Sequence, residues 1–165
     1  MADVVLPLTI RDLTREDLPA CAWAGPATHL TAIAAALDRV ERGEVEYLAV
    51  CPRSGLPVGL GAIDYTKRPG AGTLWMLEVH PAMQSRGIGT LLIAAAEHRI
   101  SDRGLDRAEL SVEESNPRAR ALYERLGYHA YGSEPDAWYP VAEDGSAFRY
   151  ETVCTLMRKE LRTRS

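Results

Sequence analysis

The chain has 165 residues, 46% hydrophobic and 25% charged, enough for one domain (residues 1–165) with its own core. Its formal charge of −4, with no Lys/Arg run beyond two, offers no basic footprint for a nucleic-acid backbone. The start MADVVLPLTI lacks the features of a secretory leader, no apolar run is long enough to span a bilayer, and Cys21, Cys51 and Cys154 are spaced for neither a disulfide framework nor a zinc site; the expectation is a cytoplasmic protein with free thiols, no metal and no membrane partner.

In chain order, Leu8 to Asp12 reads as a first strand. Thr14-Arg15-Glu16-Asp17, with acids in the first turn, starts a short helix reaching about Trp23. Gly25-Pro26 breaks the chain. Thr28 is placed to cap a second helix through Glu41, with Leu30, Ile33, Ala34, Leu37 and Val40 on one side and Gly43 closing it. Trp23 and His29 flank the break; a lone Trp beside a lone His reads more readily as packing than as a site. Glu46 to Cys51 and Val58 to Tyr65 form a hairpin across Pro52-Arg53-Ser54-Gly55. Thr73 to His80 is the central strand, with Trp75, Leu77 and Val79 facing one side and Leu74 and Met76 the other. Both faces are mostly apolar, as in a sheet covered by helices.

Pro81 stops that strand, and Gln84-Ser85-Arg86-Gly87-Ile88-Gly89-Thr90 leads into a helix with Ile88, Leu91, Leu92 and Ala95 on its apolar side and Gly104 beyond its end. The first four amides of a helix lack intrahelical partners, and two glycines let a ligand approach the bare backbone. Such a turn can hold phosphate, with Arg86 assisting, or it can be an ordinary turn that binds nothing. It is not a nucleotide P-loop, since Gly89-Thr90-Leu91 stands where Gly-Lys-Ser/Thr is needed. A dinucleotide fingerprint would need glycine at Leu92 and a first glycine directly off the strand; only the position of Glu109 favours it.

Ala108, Leu110 and Val112 alternate with Glu109, Ser111 and Glu113 in a fifth strand, parallel to the fourth by the crossover rule. If these two strands separate at their C-terminal ends, the gap is a ligand crevice. Asn116-Pro117 then starts a helix with Ala119, Leu122, Tyr123 and Leu126 on one stripe and Gly127 closing it. On spacing alone Tyr123 reads as a core tyrosine. Tyr128 to Gly132 and Phe148 to Leu161 are the last strands, around a 15-residue loop, Ser133 to Ala147, that holds Glu134, Asp136, Glu143 and Asp144.

Val79-x-Pro81-x-x-Gln84-x-x-Gly87-x-Gly89 resembles the acyl-CoA signature of the GNAT superfamily of N-acetyltransferases, and Asn116-x-x-Ala119-x-x-x-Tyr123-x-x-x-Gly127-Tyr128 resembles that family's next helix. The resemblance implies an α/β fold with a single mixed, mostly antiparallel twisted sheet of about seven strands. A parallel central pair would splay around the cofactor, with helices on both faces. It implies acetyl-CoA as cosubstrate, bound by Leu77, Val79, Gln84, Ser85, Arg86, Gly87, Ile88, Gly89, Thr90, Asn116 and Tyr123. The pantetheine arm would lie along free main-chain groups near Leu77 and Val79, and Asn116 would contact it. The Val79 amide would polarise the acyl carbonyl, and Tyr123 would protonate the departing thiolate.

The implied reaction is direct attack of a primary amine on the thioester in a ternary complex. An alkyl ammonium of pKa near 10.4 must first lose a proton, which at pH 7 costs about 4.6 kcal/mol. Glu78, in the central strand among apolar neighbours, is the candidate base, because partial burial raises a carboxyl's pKa. Some relatives carry the base on the fifth strand, where this chain has Ser111, and Ser85 replaces the glycine usual at its position. The acidic loop, with Trp138 and Tyr139, is expected to border a site for a small cationic amine. A protein N-terminus or lysine is the alternative acceptor, and a non-catalytic acyl-CoA-binding module is the alternative of another class. The family allows a homodimer.

Overall fold

In the computed structural model, which describes residues 2–140, 142 and 144–162, the apolar run Val45–Cys51 (β2) lies inside a sheet and is buried at all but one position. The other strands are β1 (Thr9–Asp12), β3 (Gly59–Asp64), β4 (Ala71–Val79), β5 (Arg107–Glu113), β6 (His129–Trp138) and β7 (Tyr150–Glu160). They form one seven-stranded sheet in the order β1-β2-β3-β4-β5-β7-β6, antiparallel throughout except for the β4–β5 pair. Three α-helices cover it: α1 (Ala27–Glu41), α2 (Ile88–Asp102) and α3 (Pro117–Arg125).

The core has a layer on each face. Under α2, the side chains of Leu48, Val50, Ile63, Leu74, Leu92, Ile100, Leu110 and Met157 pack together; under α1, Ile33, Leu37, Tyr47, Ala49, Leu60 and Ala62 do the same. Each large apolar side chain so buried contributes about 1.5–3 kcal/mol against the entropy of ordering the chain.

Two irregularities position the site. The parallel strands β4 and β5 pair only at Ala71, Gly72 and Thr73, opposite Arg107, Ala108 and Glu109. Beyond these, β4 stays with β3 as far as Val79 and β5 stays with β7 as far as Glu113, so the two diverge into a V. The second irregularity is a β-bulge. Ala62 pairs with Trp75 and Leu60 with Glu78, so two β4 residues oppose one on β3, and Met76 takes a φ of +54°. The extra residue reverses the alternation. Trp75 and Met76 both pack under α1, whereas Leu74, Leu77 and Val79 pack under α2. Trp75 therefore does not share a face with Leu77 and Val79, as simple alternation predicts.

Other expectations are corrected by local chemistry. Residues Arg15–Ala24, with Pro19 among them, form a 3-10 helix held at its start by the Thr14 amide donating to Asp17 Oδ2 at 2.8 Å. Helix α1 begins at Ala27 behind Pro26, so Thr28 is not its cap. On α2 the buried face is Ile88, Leu92, Ile93, Ala96 and Ile100, while Leu91 is 44% exposed.

The largest correction is the acidic loop. β6 continues through Pro135 and Asp136 to pair Trp138 with Tyr150, so the first part of that stretch, Ser133 to Trp138, is strand. β6 is an edge, where proline and charge are tolerated. Among the described residues no helix is long and apolar enough to cross a membrane, and no group of three His, Cys, Asp or Glu is placed to hold a metal. All three cysteines are free and buried.

Candidate active site

At the mouth of the V, Gly87 is the N-cap of α2 with φ +83°, in the left-handed region that costs an L side chain about 1–2 kcal/mol. It offers the helix no side-chain cap. The amides of Ile88, Gly89 and Thr90 open the helix without intrahelical partners. A side chain added at Gly87 or Gly89 would meet nothing within 4 Å. These residues border a cavity of about 670 Å³ whose walls include Val79, Gln84, Ser85, Asn116, Arg118 and Arg125. Anions are favoured at such a helix start, and the two guanidiniums add charge that does not titrate.

On the facing helix, Pro117 occupies the first turn and the Asn116 side chain accepts from the Ala119 amide at 3.1 Å. That bond sets the rim of the cavity. Arg118 reaches across the mouth and donates from Nη2 to Ser85 Oγ at 3.3 Å. Ser85 itself has a φ of +62°, a conformation a glycine would adopt without strain. Tyr123 is half-buried against the core and meets Tyr128 edge-on, with ring centres 6.3 Å apart. Burial raises its pKa, so the phenol holds its proton at neutral pH. Its hydroxyl makes no hydrogen bond to another described residue.

The main chain of β4 also faces the split. The His80 amide donates to Val58 O, so one residue earlier Val79 presents its N–H and C=O away from β3 and into the V. Gln84 Nε2 donates to that carbonyl at 3.3 Å.

On the far side of Val79 lies a second cavity of about 340 Å³, lined by Trp23, Ala24, Leu77, Glu78, Val79, Pro81 and Gln84. The bulge at Met76 turns the Glu78 side chain into it, under α1 rather than under α2. Its carboxylate lies 2.6 Å from His29 Nε2, in the first turn of α1. The contact is close but poorly aligned: neither His29 Nε2 nor Glu78 Oε2 has a hydrogen bond among the described residues. Burial raises the Glu78 pKa, and His29 offsets part of that rise. Trp23 is fixed by its indole N–H donating to Pro57 O at 3.0 Å, and its ring lies against His80 at 5.2 Å.

The expected cofactor residues thus fall into three groups. Val79, Gln84, Ser85, Gly87, Ile88, Gly89, Thr90 and Asn116 line the first cavity. Leu77 lines the second, while Arg86 is exposed and Tyr123 sits in the core margin, and neither lines these two cavities. Arg118 and Arg125, two helical turns apart on α3, were legible only as spaced cations on the helix face that starts at Asn116. Trp23 and His29, which read as packing, are brought to Glu78.

The acids expected around an acceptor are elsewhere. Glu134 pairs with Arg68 at 3.1 Å and Lys67 at 4.0 Å, Asp136 borders a separate groove on the β6–β7 hairpin, Asp144 accepts from the Ser146 amide, and Glu143 lies outside the described residues. Glu109 is buried beside Arg107 at the paired end of β5, away from the glycine turn.

Residues 9–128 match the family model described as the Acetyltransferase (GNAT) family. The chain belongs to this family. Among sequence relatives, a mycothiol acetyltransferase from Salinispora tropica is 44% identical over 85 residues, which cover 49% of this GNAT chain and 27% of the relative. The chain spans between 19% and 33% of the length of such relatives. Its fold is shared with the ribosomal-protein-S18-alanine N-acetyltransferase from Escherichia coli (TM-score 0.74, 22% identity, 96% of this chain and 97% of that one). It is shared as well with the PaiA N-acetyltransferase from Thermoplasma acidophilum in complex with coenzyme A (TM-score 0.66, 15% identity, 94% and 99%).

Proposed function

We propose that this GNAT chain is an N-acetyltransferase that moves an acetyl group from acetyl-CoA to a primary amine by direct attack in a ternary complex. One observation carries the reading: Val79 and Gln84 line both cavities, so a thioester held in one and an amine held in the other would meet at Val79. Acetyl-CoA fits the first cavity by its chemistry. The bare amides of Ile88, Gly89 and Thr90, with Arg118 and Arg125, suit a diphosphate, and the main-chain groups of Val79 suit an amide-bearing arm lying beside a strand.

Bound there, acetyl-CoA supplies an activated acetyl group. Gln84 must release the Val79 carbonyl for the arm to pair with it. The Val79 amide is aimed at the place where negative charge develops on the acyl oxygen. Tyr123, kept protonated by burial, donates to the leaving sulfur. Glu78 accepts the ammonium proton; its raised pKa brings it closer to the amine's and lowers the cost of the transfer.

The acceptor is a small cationic amine in this reading. The second cavity is short, walled by Trp23 and Pro81, and carries one carboxylate, which suits a compact cation better than a polypeptide. Thiol release with an amine panel tests the function: polyamines, aminoglycoside-like amines, the acceptor of the mycothiol acetyltransferases, and peptide N-termini. Acetyl-CoA binding by calorimetry together with amine-dependent release is the expected result. Binding without release from any amine would make the chain an acyl-CoA-binding module instead.

A further inference from the structure

We propose that His29 is a positioning residue that works with Glu78 as one proton-accepting pair, holding the carboxylate and receiving the proton that it takes from the acceptor amine. The proposal rests on the acetyl-transfer reading above and extends it to a residue on another element. Three independent features place the imidazole.

Gly25 leaves room for it: a side chain there would come within 2.9 Å of His29 Cβ and 3.0 Å of Cγ. The backbone at Gly25 is extended, so close approach and not backbone freedom is what calls for glycine. Next, α1 starts at Ala27, which puts His29 in its first turn, beside β4. Finally, the bulge at Met76 brings Glu78 round to meet it at 2.6 Å.

The pair differs from the other ion pairs of the molecule. Arg11–Asp17 and Arg39–Asp64 join acids to guanidiniums, whose charge is permanent, so those carboxylates are held ionised and cannot trade protons with their partners. His98–Asp102 lies on an exposed helix face. The His29–Glu78 pair alone among these combines an acid lining a cavity with an imidazole, whose ring nitrogens can both accept and donate a proton.

The other titratable groups that face Glu78 are Cys21 from the 3-10 helix and Tyr47 from β2. Burial pushes the Cys21 thiol up to about 11 and Tyr47 higher still, so both are neutral and leave His29 as the exchanging partner. The proton ledger closes without any co-reactant: the ammonium N–H breaks, Glu78 is protonated, the proton crosses the 2.6 Å contact to Nε2, and the imidazole, 23% exposed, returns it to water.

The test is steady-state thiol release from acetyl-CoA and the best amine of the panel between pH 6 and 10, with wild type, His29→Gln, Glu78→Gln and the double variant. Acetyl-CoA affinity and thermal melting serve as controls. His29→Gln should lower kcat about 10- to 100-fold at pH 7, with acetyl-CoA affinity within about twofold. The loss should shrink to about threefold or less at pH 10, where much of the amine is already neutral. The double variant should be no worse than Glu78→Gln by more than about threefold, because the two act as a unit. Gly25→Ala, which displaces the ring without removing it, should show the same pH-dependent loss.

A loss equal at every pH, or none, overturns the role of His29. A wild-type chain that binds acetyl-CoA yet turns over no amine overturns the acetyl-transfer reading first, and this pair with it.

Discussion

The two cavities that meet at Val79 are built from different parts of the polymer. The one under α2 and α3 presents mostly main chain and permanent charge: the amides of Ile88, Gly89 and Thr90, the Val79 N–H, and two guanidiniums. The one under α1 presents side chains, with Glu78 and Trp23 on its walls and His29 in contact with Glu78. Backbone sites read a ligand's phosphate and amide groups, which do not vary. On the proposed reading, the side-chain site reads the amine and handles its proton. The difference predicts that the two can be damaged separately.

Tyr123→Phe should break the comparison most sharply. The hydroxyl sits at the margin of the core and is held protonated, so its loss should lower kcat about 100-fold while acetyl-CoA affinity stays within about twofold. Stopped-flow and calorimetry separate the two quantities. An unchanged kcat would remove Tyr123 from the chemistry.

Next in size is Gly87→Ala. Its φ of +83° costs an alanine about 1–2 kcal/mol and tilts the first amides of α2, so the KM for acetyl-CoA should rise about tenfold with the acceptor KM little changed.

On the other side, Asp17→Asn should loosen the 3-10 helix that carries Trp23 and leave acetyl-CoA affinity alone. Arg11 grips this carboxylate through two 2.8 Å bonds and holds its pKa down to about 2. A carboxyl depressed on folding stabilises above its unfolded pKa, near 4, and loses that contribution as the pH falls through 2. Arg11 is 37% exposed, and screening limits the effect to about 1 kcal/mol. The melting difference between wild type and Asp17→Asn should be full at pH 6 and close toward pH 2. A difference independent of pH would assign the loss to packing.

The smallest expected effect is Ser85→Gly. Relief of a left-handed serine, less the lost contact with Arg118, should raise Tm by about 1–2 °C and leave kcat unchanged. A fall in Tm would mean that the Arg118 contact outweighs the strain.

The same contrast explains what could be read from the chain alone. The α2 side was legible because backbone requirements leave local marks. Gly87 stands where φ must be positive, Pro117 where a helix has no donor to lose, and Asn116 where an amide needs an acceptor, all within a few residues of what they serve. The seven strands and the parallel pairing of the fourth and fifth followed from alternation and the crossover rule, whereas the splaying of that pair was implied by the resemblance to the family.

The α1 side was not legible, because its parts come from distant segments and depend on a bulge. Met76 is not a glycine, so nothing in TLWMLEV announces that two successive side chains, Trp75 and Met76, lie on one face. Without that reversal Glu78 would sit under α2 and His29 would have no partner. β6 was cut short for a related reason. Proline, acids and glycine mark a loop by composition, but on an edge strand they are compatible with pairing, and only the partner β7 shows the register.

The bulge at Met76 has an evolutionary consequence. Because it shifts the alternation so that Glu78 falls under α1 while Val79 packs under α2, α1 and the turn before it would, on the proposed reading, be free to drift toward new amines without disturbing the grip on the acyl donor. A library randomising the neighbours of His29 should therefore yield altered acceptor preference far more often than loss of donor binding.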